Sequence, residues 1–111
     1  MSRDEIISIG CSMNSLRDGI FTGLNRSETG FACDVCSDGS WVDHEREMRA
    51  FMSEFGPIIR HAIDNGMFVL FDIAIGLEDR GAAVAFVGLS FDSELLLLLG
   101  ASGLLLHVSV Y

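Results

Sequence analysis

The sequence predicts an α+β fold, a ferredoxin-like βαββαβ two-layer sandwich with an extra N-terminal strand. Three observations lead to this prediction. An amphipathic helical stripe runs from Met48 to Ile63, a near-continuous apolar run follows at residues 67–76, and a leucine-rich helix precedes a last apolar strand at residues 104–111. In that plan, two helices cover one face of a mostly antiparallel sheet.

The length and composition predict a single packed domain over residues 1–111, because half of the residues are hydrophobic. The charge is strongly acidic: sixteen Asp and Glu stand against seven Arg, without a Lys, for a net charge of −9. Such a surface repels nucleic acid and anionic membranes and attracts basic partners. We therefore expect neither nucleic-acid nor membrane binding.

The location predicted from sequence is the cytoplasm. The first residues contain no long apolar stretch of the kind found in signal peptides, and the leucine run at residues 95–99 is too short to cross a bilayer. Three cysteines, an odd number, fit reduced thiols better than a disulfide framework.

The first predicted strand, residues 5–13, is based on an alternation of apolar and small polar residues, which places Ile7, Ile9 and Cys11 toward the core. Residues 14–30 contain three glycines and are expected to form an irregular connection. A second short strand is predicted at residues 31–36.

The long central helix is the clearest predicted element, because its apolar residues recur at three- and four-residue spacings. Asn65 and Gly66 supply a left-handed stop at its end. Pro57 lies inside the pattern, so we expect it to kink the helix or split it into two pieces.

The last third predicts a central strand at residues 67–76, a turn at 77–81, a partner strand at 83–89, a short helix capped by Ser90 or Asp92, and a closing strand at 104–111. Strand parity places Leu106 and Val108 in the core and leaves a mixed opposite face, on which Leu70 and Leu105 lie beside polar groups. A homodimer through this open face, residues 14–30, or another protein would cover it. Asp72 on this face would need a partner such as His107 or Ser109 if it were buried, and would mark the open face if it were exposed.

The weak metal-ligand candidates are a Cys-x-x-Cys pair and two residues that could complete a zinc set: Cys33, Cys36, Cys11 and His44. On a strand, positions three apart point to opposite faces, so the pair is not placed to share an ion. We favour structural cysteines and expect no metal and no cofactor.

Catalysis has little support in the sequence. His44 has acids around it, which would suit a hydrolase, but acids in the first turn of a helix also favour its dipole. No phosphate loop, nucleophile elbow or dinucleotide fingerprint is present. The prediction is that the protein is not an enzyme.

The stretch from about residue 43 to residue 111 resembles a small bacterial family of unknown function related to the immunity proteins of toxin systems. The resemblance rests on packing motifs in three segments: VLFDIA at residues 69–74, LSFDSELL at 89–96 with LGA at 99–101, and VSVY at 108–111. It implies a non-enzymatic protein that binds and neutralises a toxin. It carries no catalytic residues.

The acidic segment at residues 34–47 independently favours a basic protein partner, such as a basic toxin domain, because opposite charge speeds association. An aromatic anchor within a charged rim is typical of a binding hot spot. The predicted contact residues are Asp38, Trp41, Asp43, Glu45 and Glu47. The alternative interpretation of this segment is an ordinary solvated acidic surface. The alternative function for the protein is a dimeric small-molecule-binding regulatory domain.

Overall fold

The fold is described from a computed structural model of the chain, over residues 1–36, 41–75 and 91–110. Contacts divide the chain into two compact units, Met1–Met67 and Phe68–Tyr111. In chain order, the elements are α1 (Arg3–Leu16), α2 (Trp41–Asp64), β1 (Leu70–Ile75), α3 (Ser93–Ser102) and β2 (Leu105–Val110). One domain over residues 1–111 stays a prediction.

The predicted ferredoxin-like sandwich with a mostly antiparallel sheet is wrong. The described part of the chain contains three helices and one two-stranded sheet, and the two strands run parallel. The pairing runs in register from Leu70 opposite Leu105 to Ile75 opposite Val110. An apolar run predicts that a strand exists but does not predict its direction, which depends on the distant segment that it pairs with. The predicted turn at 77–81 and strand at 83–89 lie outside the described residues.

The predicted N-terminal strand at residues 5–13 is also wrong, because these residues form α1. Ser2 caps the helix: its hydroxyl accepts a hydrogen bond from the backbone N–H of Glu5 at 3.2 Å and donates one to the Glu5 carboxylate at 3.0 Å. Ile6, Ile9 and Met13 are buried, at spacings of three and four. This helical stripe coexists with the two-residue alternation, which explains the wrong prediction.

The segment between α1 and α2 is irregular over residues 17–36, so the strand predicted at 31–36 is wrong as well. Side chains hold this segment in place. The Asn14 amide donates to the Phe21 carbonyl at 2.8 Å and accepts from the Phe21 N–H at 2.9 Å. The Phe21 ring meets the edge of Phe31 with a centroid distance of 4.9 Å. These contacts replace the backbone pairing of a strand.

The long helix is confirmed as α2, a continuous helix that contains Pro57, so the alternative of two separate pieces is wrong. The predicted stripe forms the centre of the first unit's core; its buried members are Met48, Phe51, Met52, Phe55, Ile59 and Ala62. The predicted stop is also confirmed, since Gly66 has φ 94° and the Met67 N–H donates to the Ala62 carbonyl at 3.0 Å.

Two contacts from Arg17 fasten the irregular segment to α2. The guanidinium lies over the ring of Phe55, 5.2 Å from its centroid, and Nε is 2.9 Å from Oε1 of Glu54. The Arg17–Glu54 contact is an ion pair without hydrogen-bond geometry, because Oε1 has no hydrogen-bond partner among the described residues. Arg17 therefore joins the end of α1 to α2 by charge and by its stacking on an aromatic ring.

In the second unit, the predicted leucine helix is confirmed as α3. The Asp92 carboxylate caps it by accepting from the Leu95 N–H at 2.8 Å, and Gly103, with φ 78°, ends it. Leu95 and Leu99, one turn apart, are buried. β1 and β2 match the predicted strands at 67–76 and 104–111 in place, though not in their arrangement.

Candidate functional site

The first polar surface is the acidic start of α2, formed by Trp41, Asp43, Glu45 and Glu47. The ring of Trp41 stacks with that of His44, one turn later, at a centroid distance of 6.4 Å and an interplanar angle of 15°. The fifth predicted contact residue, Asp38, lies outside the described residues. Four of the five predicted residues thus lie within the first two turns of one helix.

Arginines of the same helix balance these acids. Arg46 is 3.0 Å from Asp43 and 3.8 Å from Glu47, and Arg49 is 3.8 Å from Glu45. The acidic segment predicted from sequence ends at residue 47, so Arg49 lies beyond it. Its position four residues after Glu45 was the signal that could have identified it.

The ion pairs of Arg46 and Arg49 affect how the carboxylates at the start of α2 can bind a partner. Exposed pairs add little stability, but they hold carboxylates that would otherwise sample many rotamers. The acidic start of α2 can therefore accept hydrogen bonds from a cationic partner, with the Trp41–His44 stack as an aromatic neighbour. His44 forms no hydrogen bond or ion pair with any described residue, so no carboxylate orients it for proton transfer.

The four metal-ligand candidates lie on three parts of the first unit. Cys11 is exposed on α1, so its predicted place in the core is wrong; Cys33 and Cys36 are half-buried in the irregular segment, and His44 lies on α2. Among the residues that the structure describes, no group of three or more His, Cys, Asp or Glu side chains is placed to hold a metal ion.

Cys33 has an altered acidity. Burial raises the pKa of its thiol, and the neighbouring Asp34 carboxylate raises it further, while the Arg17 guanidinium lowers it. Because a thiolate is the form that attacks electrophiles and binds metals, we expect Cys33 to be less reactive at neutral pH than a thiol of ordinary pKa.

A second polar cluster, Asp72–His107–Ser109, lies on the paired strands of the second unit. Asp72 and His107 are direct partners in the β1–β2 register. His107 Nδ1 is 3.2 Å from Asp72 Oδ1, and the Ser109 hydroxyl donates to that same oxygen at 2.8 Å. His107 and Ser109 are the two partners predicted for Asp72, and of the two alternatives for this carboxylate the structure has the exposed one, since all three side chains are at least partly exposed.

The cluster contains the residue types of a hydrolytic triad but not its geometry. A triad uses both ring nitrogens, one bonded to the carboxylate and the other to the serine. Here Nδ1 alone approaches both groups, at 3.2 Å from Asp72 and 3.3 Å from Ser109 Oγ. Ser109 donates its proton to Asp72 rather than to the histidine. The arrangement therefore does not activate a serine nucleophile.

Apolar side chains flank this cluster. Leu70 and Leu105, which pair two positions before Asp72 and His107 on the same face, are 40% and 54% exposed. On the opposite face of the strands, Leu106 and Val108 are exposed as well, although strand parity predicted them as core. The cluster thus lies within an apolar strand surface rather than at the bottom of a cavity.

Comparison with known proteins adds no relative: no family model, curated protein or solved structure matches the chain. Within the described residues, no helix combines the length and the apolar character needed to cross a bilayer.

Proposed function

We propose that this chain is a non-enzymatic binding protein, an acidic immunity-type inhibitor that binds and neutralises a basic bacterial toxin. The observation that carries the proposal is the acidic start of α2, a set of three carboxylates beside a tryptophan in a chain of net charge −9. The partner's toxin identity comes from the resemblance of residues 43–111, whereas its basic character comes from charge.

The contact would combine two physical effects. Long-range attraction brings a basic surface toward the acidic chain and raises the association rate. Trp41 then supplies apolar area, while Asp43 and Glu47, already held near Arg46, accept hydrogen bonds from lysine or arginine side chains. Restrained carboxylates lose less rotamer entropy on binding than free ones.

The test is co-expression with the product of the adjacent gene in a bacterial host, together with titration calorimetry of the purified pair. We expect the native chain to restore growth and to bind at fixed stoichiometry. A W41A variant is expected to bind at least tenfold more weakly, and D43N/E45Q/E47Q is expected to slow association and reduce its salt dependence.

A matched control separates the site from overall charge. The triple variant D4N/D18N/D64N changes net charge by the same amount at exposed positions outside the acidic start of α2. If both triple variants weaken binding equally and W41A has no effect, the site assignment is wrong. If the native chain neither binds the gene product nor restores growth, the inhibitor function is wrong.

The second candidate function, a dimeric small-molecule-binding regulatory domain, loses its fold analogy because the ferredoxin-like plan is wrong. What still favours self-association is the exposed apolar strand surface around Leu70 and Leu105. Light scattering across a concentration series tests it: a dimer that L105K dissociates supports this candidate, and a monomer at every concentration removes it.

A further inference from the structure

A groove in the first unit lies between α1 and the irregular segment that follows it. It is open to solvent and has a volume of about 330 Å³, at the lower end of the range for small-molecule sites. The residues that give it its chemical character are Arg3, Ile7, Phe21, Leu24, Arg26 and Glu28.

One wall of the groove is apolar. Ile7, Phe21 and Leu24 are each half-buried, so they retain surface that a ligand could cover. The Phe21 ring is fixed from behind, because it packs so closely on Gly10 that a Cβ at that position would overlap the ring. A pre-positioned aromatic wall requires little ordering when a ligand binds.

The charged side of the groove is cationic. Arg3 Nε lies 2.9 Å from Glu28 Oε2, so these two charges are paired. Arg26 forms no ion pair or hydrogen bond with any residue that the structure describes. Two arginines against one glutamate leave a local charge of +1 in a chain whose net charge is −9.

The turn that carries Arg26 is held by hydrogen bonds. The Asn25 N–H donates to the Gly30 carbonyl at 2.8 Å, and the Thr29 N–H donates to the Asn25 side-chain oxygen at 2.9 Å. Glu28 adopts φ 58°, a left-handed conformation uncommon for glutamate, within this turn. The turn therefore presents Arg26 and Glu28 from a defined backbone.

We propose that this groove binds a small organic carboxylate with an aromatic or apolar body. The Arg26 guanidinium would accept the carboxylate in a two-pronged hydrogen bond, and the Phe21 and Leu24 side chains would cover the body. Glu28 would repel the second carboxylate of a dicarboxylate. Its ion pair with Arg3 keeps Arg3 from competing with Arg26 for the ligand. This site is separate from the acidic start of α2, so it stands or fails independently of the inhibitor function.

The test uses 2-naphthoate as the probe and 2-naphthamide as its neutral counterpart, each titrated into the full chain and followed by amide NMR shifts. We expect 2-naphthoate to bind with a Kd on the order of 1 mM or tighter, and to shift the resonances of Phe21, Leu24 and Arg26. The amide, which lacks the negative charge, is expected to bind about tenfold more weakly.

Matched variants locate the charge effect. R26Q is expected to weaken 2-naphthoate binding about tenfold and leave 2-naphthamide binding unchanged. R60Q removes the same charge from an exposed position on α2 and is expected to leave both affinities unchanged. Equal binding of the two probes, equal effects of the two variants, or no shifts at millimolar 2-naphthoate would each overturn the proposal.

Discussion

The two units of the molecule use their apolar residues differently. Within the described part of the chain, the buried apolar residues of the second unit, Phe68–Tyr111, are Leu95 and Leu99. All the other buried apolar residues lie in the first unit, Met1–Met67. The first unit collects its buried residues on helices and on Ile20. The second leaves Leu97, Leu105 and others exposed. A helix can bury one stripe against a single neighbour, whereas a strand pair presents two faces, each of which needs a cover.

This contrast assigns different roles to the two units. Side chains that pack closely, such as Phe51 and Phe55 with ring centroids 4.7 Å apart, give the first unit a packed core. The exposed strand surface of the second unit makes it the place where added contacts would change stability most. The predictions below test this contrast, from the largest expected effect to the smallest.

The largest effect is expected from F55A in the first unit. Phe55 is fully buried, against Phe51 and beneath the Arg17 guanidinium, so its removal should lower the free energy of unfolding by about 3–5 kcal/mol. Urea unfolding followed by circular dichroism measures it. L97A, at a position 73% exposed in the second unit, serves as the control and should change stability by less than about 0.5 kcal/mol. A loss below about 1 kcal/mol for F55A would contradict a packed core there.

Two glycine substitutions compare the units directly. G10A should destabilise by about 1–3 kcal/mol, because the added methyl group meets the Phe21 ring. G100A should stabilise by up to about 1 kcal/mol, because Gly100 lies within α3 with open space around it and alanine favours a helix. Thermal unfolding of both variants gives the signs, and equal signs would contradict the packing described for one of the two positions.

The Asp72–His107 pair should couple weakly. Both side chains are substantially exposed, at 44% and 63%, so a double-mutant cycle of D72A and H107A should give an interaction energy of about 0.2–1 kcal/mol. The cycle is measured by urea unfolding at pH 6. A coupling above about 2 kcal/mol would mean that another part of the protein or a partner covers this strand surface.

The smallest effect concerns the acidity of Cys33. Because its pKa is raised in the folded protein, the resulting stabilisation is present below the thiol's ordinary pKa of about 8.5 and is lost as the pH rises through the folded-state value. The raised pKa also leaves less of the reactive thiolate at Cys33. At pH 8, iodoacetamide should label this half-buried thiol more slowly than the exposed Cys11, as measured by peptide mass spectrometry. D34N should speed the labelling of Cys33 and leave that of Cys11 unchanged. Faster labelling of Cys33 than of Cys11 in the native chain would be inconsistent with its burial.

Some elements could be predicted from sequence because their signals are local. The stripe of α2 and the Asp92 and Gly103 caps of α3 depend on residues within a few positions of each other. α1 was predicted as a strand because its apolar residues fit both the two-residue alternation of a strand and the three- and four-residue spacing of a helix. The spacing of Ser2 and Glu5, which is typical of a helix N-terminus, was the sequence signal that favoured the helix.

Parts of the candidate site could likewise be predicted from sequence, and other parts could not. The acids at the start of α2 and the tryptophan beside them could be identified from sequence. The pairing of Glu45 with Arg49 followed from helical spacing but was missed. Asp72 was matched with the right residues, and the sequence left open whether it is buried or exposed. The groove at Arg26 had no signal in the sequence, because it depends on how residues 21–28 pass beside α1.

The amino-acid sequence by itself determines the net charge of −9, the long apolar stripe of α2 and the capped leucine helix, since these follow from composition and from contacts within one or two helical turns. The parallel direction of β1 and β2 was settled by folding alone, as was the register that places Asp72 opposite His107, 35 residues away in the sequence. Strand direction and register are properties of long-range pairing, and an apolar run has no local signal that selects its partner.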